Sequence, residues 1–263
     1  SKINRYSKQL ILINSLFIIL WLGVSVFPFI WTFWGSFKVK ADFFSRADWM
    51  FAVTGVNTLI ETGDTSTVKA YVESWTEGEF WKATMNTAII TVSVVTISLF
   101  LGTLGAYALS RSTYKYTFWI LIAALIFRAM PHITLVSGYL FPFFQLNVWG
   151  ILPTTIIVLV AINQPFTLWL LYSFFKTVPK ELDESALIDG CSYFQAFRYV
   201  IMPVMWPGVV TAGLFSMMLA YNDFTVTSLL LNQENYTMVP KINAYLGTIE
   251  HSGNYMWAVS SVV

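Results

Sequence analysis

Apolar runs of about 20 residues, the length a helix needs to cross the hydrocarbon core of a bilayer, recur along this chain. Nothing else in it constrains the fold as strongly. A segment surrounded by lipid must satisfy its backbone hydrogen bonds internally, and runs of this length do so as helices. They fall at 10–34, 83–110, 116–144, 151–175 and 209–231, with a shorter apolar stretch at 255–263. Charged residues supply only 11% of the 263 residues and hydrophobic ones 56%, where an ordinary soluble domain carries about 25% charge. The expected fold class is an all-α polytopic membrane protein in contact with the lipid bilayer.

The net charge of +1 argues against a nucleic-acid partner. The single cysteine, Cys191, excludes an internal disulfide. Neither it nor the two histidines, His132 and His251, have the spacing of a metal site. No G-x-x-x-x-G-K-[ST] loop occurs, so any energy from ATP must enter through another subunit.

Lys2, Arg5 and Lys8 precede the first span, 10–37, and place residues 1–9 in the cytoplasm by the positive-inside tendency. The run 10–34 is too long for the apolar core of a signal peptide, and no A-x-A site follows it, so it is expected to remain as a span. Residues 38–82 are polar and mixed in charge. They are read as an extracytoplasmic loop with a short amphipathic helix near 68–75, either a solvated spacer or a docking surface. A core of spans two to six is expected over 83–263, with Arg111 and Lys115 marking a basic cytoplasmic turn. Pro131 should kink the third span. Asn163, Gln164 and Pro165 interrupt the fourth, and Tyr221, Asn222 and Asp223 the fifth. An outer loop follows at 232–254. The stretch 255–263 reads as a sixth span truncated at Val263, and the native gene is expected to continue for about 20 mostly apolar residues.

The hydrophilic stretch 178–208, between the fourth and fifth spans, reads as two short helices. Thr177 is a candidate N-cap and Pro179 suits a first turn. Glu181, Asp183 and Glu184 stand where the helix dipole favours acids. Gly190 can end the helix in the left-handed conformation. Ser192-x-x-Gln195 has the spacing of a capping box opening a second helix, which is expected to end before Pro203 and Pro207. Asp189 sits where the dipole disfavours an acid, so it is expected to accept backbone N–H groups across the turn. A merely solvated loop is the alternative.

Glu184-Ser185-Ala186-x-x-Asp189-Gly190-Cys191, followed by Phe197 and Pro203, resembles the EAA loop of ABC importer permeases. Ser185 and Cys191 replace the usual small alanines. Three further stretches are similar to the maltose-type, carbohydrate branch of that family. They are Arg128-Ala-Met-Pro131 with Gly150-Ile-Leu-Pro-Thr, Asn163-Gln-Pro165-Phe166 with Trp169, and Tyr221-Asn222-Asp223-Phe224, where Tyr221 stands for the usual Trp. The resemblance covers 85–263 and leaves 38–82 largely unmatched.

It implies a type I importer transmembrane domain of six spans in the bacterial cytoplasmic membrane. It implies a second homologous permease, two cytoplasmic ABC ATPases that bind ATP and Mg, and an extracytoplasmic solute-binding protein. The EAA loop would seat in an ATPase cleft, with Glu184, Asp189 and Gly190 central. The outer loop 232–254 would reach the binding protein, or serve as a plain connector.

Arg128, Asn163, Gln164, Asn222 and Asp223 interrupt apolar spans. A charge at mid-bilayer costs about 2.5–3.5 kcal/mol even on the lenient insertion scale. These residues should therefore face a protein interior or a wet cavity. Two readings stay open. Asn163, Gln164, Asn222 and Asp223 line a solute pathway, with Tyr172 or Tyr221 stacking on a sugar ring. Alternatively, Arg128 and Asp223 pair and the amides brace the bundle. Two other functions compete with this reading. An ion-coupled secondary transporter would use Arg128 and Asp223 but has no need of the 178–208 hairpin. An intramembrane protease would need a Gly-x-Ser-x pattern opposite His132, and none is present.

Overall fold

The structure, a computed structural model, describes residues 2–36, 66–247 and 259–262. Residues 37–65 and 248–258 lie outside the described residues. They include most of the loop expected at 38–82, the end of the outer loop 232–254, His251 and much of 255–263. Among the described residues regular structure is helical, apart from one isolated bridge between Gly150 and Leu231. The chain divides into two units, Ser1–Phe80 with Ile242–Val263, and Trp81–Lys241.

In the first unit α1 (Lys2–Gly35) carries an apolar stretch, Leu10–Phe33, long enough to cross a membrane and with none of it buried. A helix that is apolar all round is a membrane span or a core helix, and among the described residues nothing buries this one. α2 (Ser66–Thr76) covers the amphipathic segment anticipated near 68–75, and Tyr71 donates to the Ser36 hydroxyl.

The second unit holds α3 (Phe80–Arg111), α4 (Tyr116–Ala129), α5 (His132–Gln145), α6 (Leu152–Thr177), α7 (Glu181–Ile188), α8 (Tyr193–Tyr221) and α9 (Thr225–Leu230). α10 is Met238–Gly247. Of these, α3, α6 and α8 are long and apolar enough to span a membrane singly.

The prolines act differently from expectation. In place of one kinked third span, α4 and α5 meet at 86°. Proline drives the preceding residue out of the helical region, and Met130 is extended, with φ −70° and ψ 142°. Each arm has 14 residues, about 21 Å at 1.5 Å per residue, short of the ~30 Å hydrocarbon core. By contrast α6 continues unbroken through Pro165, since spans tolerate proline where neighbours re-satisfy the freed groups. The second helix of 178–208 does not stop before Pro203 and Pro207. It runs on as α8 through a π-helical segment, Ala196–Ile201, just ahead of Pro203. The wider π turn relieves the missing N–H and the ring clash of the proline. The fifth span ends at Tyr221, so Asn222 and Asp223 stand at a helix end rather than inside one.

Two apolar cores hold the second unit. One joins Ile90 and Val94 of α3, Val136 of α5, Val158 and Leu159 of α6, and Val226 and Leu230 of α9. The other joins Ala106 of α3, Leu171 and Phe175 of α6, and Ile201, Met205 and Val209 of α8. On each of α3, α6 and α8 a polar residue lies between the two cores. Asn163 Nδ2 donates to Ser216 Oγ and, at 3.5 Å, to Ser98 Oγ.

Small residues let these helices approach, as membrane helix packing requires. A β-carbon on Gly208 would lie 2.9 Å from Cγ of Phe174. Gly208→Leu is therefore expected to push α8 off α6 and cost about 1–3 kcal/mol. The check is a lower detergent melting temperature and a reduced monodisperse yield.

On the opposite side from 178–208, the Gly150 N–H donates to Leu230 O at 2.9 Å. Asn235 Nδ2 donates to Gly150 O at 2.7 Å and Trp149 Nε1 to Leu229 O at 3.0 Å. These bonds staple the turn between α5 and α6 to the end of α9. Back in the first unit, Tyr245 donates to Gly78 O at 2.6 Å. Burial, and then nearby Glu79, push its phenol up to about 12, so the hydroxyl stays a donor at physiological pH.

Candidate functional site

The hairpin between α6 and α8 is built by local bonding. The Gly190 N–H reaches Leu187 O at 3.1 Å and the Cys191 N–H reaches Ala186 O at 3.0 Å. With Gly190 at φ +91° this is a Schellman ending for α7. Ala186 is buried and Cys191 half-buried, in keeping with the small residues found at both positions. The capping box is present, with Gln195 N–H on Ser192 Oγ and Ser192 N–H on Gln195 Oε1.

Two cap assignments need correction. Thr177 does not cap α7. It lies in the last turn of α6, where its hydroxyl donates to Phe174 O at 2.7 Å. Thr177 is thus one turn too early, and Lys180 holds the N-cap position of α7 without a side-chain bond. Asp189 takes the C-cap position and its carboxylate accepts no hydrogen bond from the described residues. The turn's N–H groups are already used by backbone carbonyls, so Asp189 and Glu184 face outward and exposed. Ser185 and Pro203 are exposed as well. Phe197 packs inward, its ring centroid 4.8 Å from that of Tyr107.

Sequence reading missed two features of the hairpin. The first is a polar clamp at its base. Arg111, the last residue of α3, pairs with Asp183 at 2.8 Å, and Tyr107 donates to the other Asp183 oxygen at 2.5 Å. Arg111 also donates to Val178 O at 3.1 Å and Phe175 O at 3.3 Å. The second is an apolar face. Ile188 is 85% exposed, Tyr193 75% and Phe194 65%. Ile188 next to the charged Asp189 was a readable hint of it.

A cavity of about 480 Å³ opens among α3, α4, α5, α6 and α8, lined by Arg128, His132, Asn163, Asn222 and Asp223. Of the residues anticipated for a pathway it gathers Asn163, Asn222 and Asp223. Gln164 and Tyr221 are not on its lining. Tyr221 points its hydroxyl to Met238 Sδ at 3.9 Å. Tyr172 lies near the hairpin, its ring under Lys176 at 5.5 Å, in a separate groove with Lys115 and Trp169.

Arg128 and Asp223 share the cavity without pairing. The Arg128 guanidinium is 3.4 Å from His132 Nε2 and 5.8 Å from the Phe166 ring centroid. One Asp223 oxygen accepts the N–H groups of Val226 at 2.9 Å and Thr227 at 3.0 Å. Exposed helix-end N–H groups explain the choice, because they need acceptors. Asn163 is 4% exposed, and its Oδ1 has no partner among the described residues. Asn163→Leu is expected to remove the α3–α6–α8 contact at about 0.6–2 kcal/mol per interhelical bond, read as a lowered melting temperature in detergent.

Residues 98–263 match the family described as the binding-protein-dependent transport system inner membrane component. The chain belongs to that family. Among curated relatives, the diacetylchitobiose uptake permease NgcG of Streptomyces coelicolor is 27% identical, over 95% of this chain and 80% of that protein. The trehalose/maltose permease MalG of Thermococcus litoralis is 31% identical, over 82% of this chain and 74% of that protein. The crystal structure of a bacterial ABC transporter that imports the acidic polysaccharide alginate superimposes with a TM-score of 0.73 at 18% identity, covering 95% of this chain and 90% of that one, which speaks for the fold. The protein is thus a multi-pass inner-membrane permease of an ABC importer, a transport subunit rather than an enzyme. Permeases of this family operate with an ATPase and a substrate-binding protein.

Proposed function

We propose that this permease joins a second, homologous permease to form the pathway for a carbohydrate or polyol, and that its 178–208 hairpin seats in one of two cytoplasmic ATPases. ATP and Mg would be held by those ATPases, not by this chain. The N-terminus would lie in the cytoplasm, on the hairpin side, and the 232–254 loop would face the binding protein. Glu184, Asp189 and the apolar Ile188, Tyr193 and Phe194 present the exposed face that an ATPase cleft would cover.

The carrying observation is the cavity between the helices that the hairpin joins. Its amide and carboxylate lining suits hydroxyl-rich solutes. Asn163 Oδ1, buried and without a partner among the described residues, is an acceptor that a sugar hydroxyl can meet. The substrate class also follows the diacetylchitobiose and trehalose/maltose relatives. ATP-driven closure of the ATPases would move the hairpin and shift the cavity between two states.

The test is uptake by proteoliposomes holding the whole complex, with the binding protein and candidate sugars outside and ATP inside. Sugar uptake that requires both ATP and binding protein is expected. Uptake driven by an ion gradient without ATP would overturn the proposal in favour of a secondary transporter.

A further inference from the structure

The hairpin is fastened to a span that does not adjoin it in the chain. α7 follows α6 and leads into α8, so a push on it reaches those two helices through the backbone. α3 has no such connection, yet its side chains hold the hairpin directly. Arg111 and Tyr107 lie four residues apart on α3, one turn of one face, and both address the carboxylate of Asp183, at 2.8 Å and 2.5 Å. The two charged side chains are only 17% and 14% exposed. The Arg111 contact is an ion pair without hydrogen-bond geometry, and the Tyr107 hydrogen bond to the same carboxylate is charge-assisted, the stronger kind. Nη1 of Arg111 closes on the carbonyls of Val178 and Phe175 at the end of α6, the latter also accepting the Val178 N–H. The Tyr107 ring packs against Phe175 and Phe197, with centroids 5.7 and 4.8 Å away. One clamp therefore holds α3, α6, α7 and the start of α8.

We infer that Arg111, Asp183 and Tyr107 are positioning residues that transmit hairpin movement to α3, making α3 a driven element of the transport cycle. The inference rests on the reading of the hairpin as the ATPase socket. α3 is suited to carry the movement inward. It holds Ser98, bonded to Asn163, and Val94, on the cavity wall. A shift of α3 along its axis would change the cavity directly. Without the clamp the socket would still bind an ATPase through its exposed face, but its movement would reach α6 and α8 only.

The experiment compares Tyr107→Phe and Asp183→Asn with the wild type in the full reconstituted complex, reading solute transported per ATP hydrolysed and the amount of complex recovered. Tyr107→Phe removes one oxygen and keeps the ring packing. Asp183→Asn keeps the shape and removes the charge. Both are expected to assemble in wild-type amounts while transport per ATP falls at least threefold. Asp183→Glu, which retains the carboxylate, is expected to recover part of it. Unchanged transport per ATP in both variants would overturn the inference. So would a loss that tracks only the amount of complex, because the clamp would then serve folding alone. If Asp183→Asn fails to assemble, Tyr107→Phe decides by itself. Failure of the socket reading gives a different result: the wild-type complex would then form without contact at the hairpin, seen as no crosslink between Cys191 and an ATPase cysteine.

Discussion

Gly190→Val is expected to lower transport about tenfold or more while leaving the membrane core folded. A β-carbon on Gly190 meets nothing within 4 Å, so the penalty is conformational and not a clash. At φ +91° an L-residue loses about 1–2 kcal/mol, and a β-branched one is the worst case. The two Schellman bonds of Gly190 and Cys191 depend on that φ. A cost of 1.4 kcal/mol is about a tenfold change in the population of the correct turn. The displaced part is the exposed end of the hairpin, including Ile188, Asp189 and Tyr193. Asparagine tolerates the left-handed region better than other non-glycine residues, so uptake should follow the order Gly, Asn, Ala, Val. ATP-dependent uptake in proteoliposomes and circular dichroism of the purified permease check the two halves of the expectation. Wild-type uptake by the valine variant would show that the turn geometry does not matter for coupling.

What could be read from the sequence was what neighbouring residues decide. The Gly190 turn and the Ser192–Gln195 capping box depend on side chains within a few positions, and both are present. The clamp could not be read that way, because Tyr107 and Asp183 are 76 positions apart. Nothing in an isolated helix tells whether Arg111 ends in solvent or under a neighbouring hairpin. Prolines misled for a related reason. In water a proline inside a helix costs about 3 kcal/mol, which argues for a break at each one. Between packed spans the alternative to a helix is worse, so Pro165 and Pro203 are absorbed, while Pro131 makes a true corner. The polar residues within the apolar runs are plain in the sequence, and Arg128, Asn163, Asn222 and Asp223 line one cavity. Their surroundings are not plain there, since a charge in an apolar run can pair with another charge, cap a helix or line a cavity with the same sequence pattern.

Asp223 decides between those roles, and the expected result is a failure of charge exchange. Arg128→Asp and Asp223→Arg should each reduce uptake strongly, and the double variant should not restore it. Restoration would require the two residues to act chiefly on each other. Here Asp223 is engaged by the N–H groups that open α9, and an arginine, having donors only, cannot replace that acceptor. Arg128 is engaged by His132 and the face of Phe166, where an aspartate would meet the negative face of the ring. The informative control is Asp223→Asn. Its carbonyl oxygen can still accept from Val226 and Thr227, so it should keep α9 capped, whereas Asp223→Ala loses the cap at about 0.5–2 kcal/mol. Uptake retained in the asparagine variant and lost in the alanine variant would assign Asp223 to the helix end. Equal loss in both, with the complex assembled, would instead mean that its charge acts on the solute. Rescue in the double reversal would mean that the two residues form an ion pair in a state of the transport cycle other than this one.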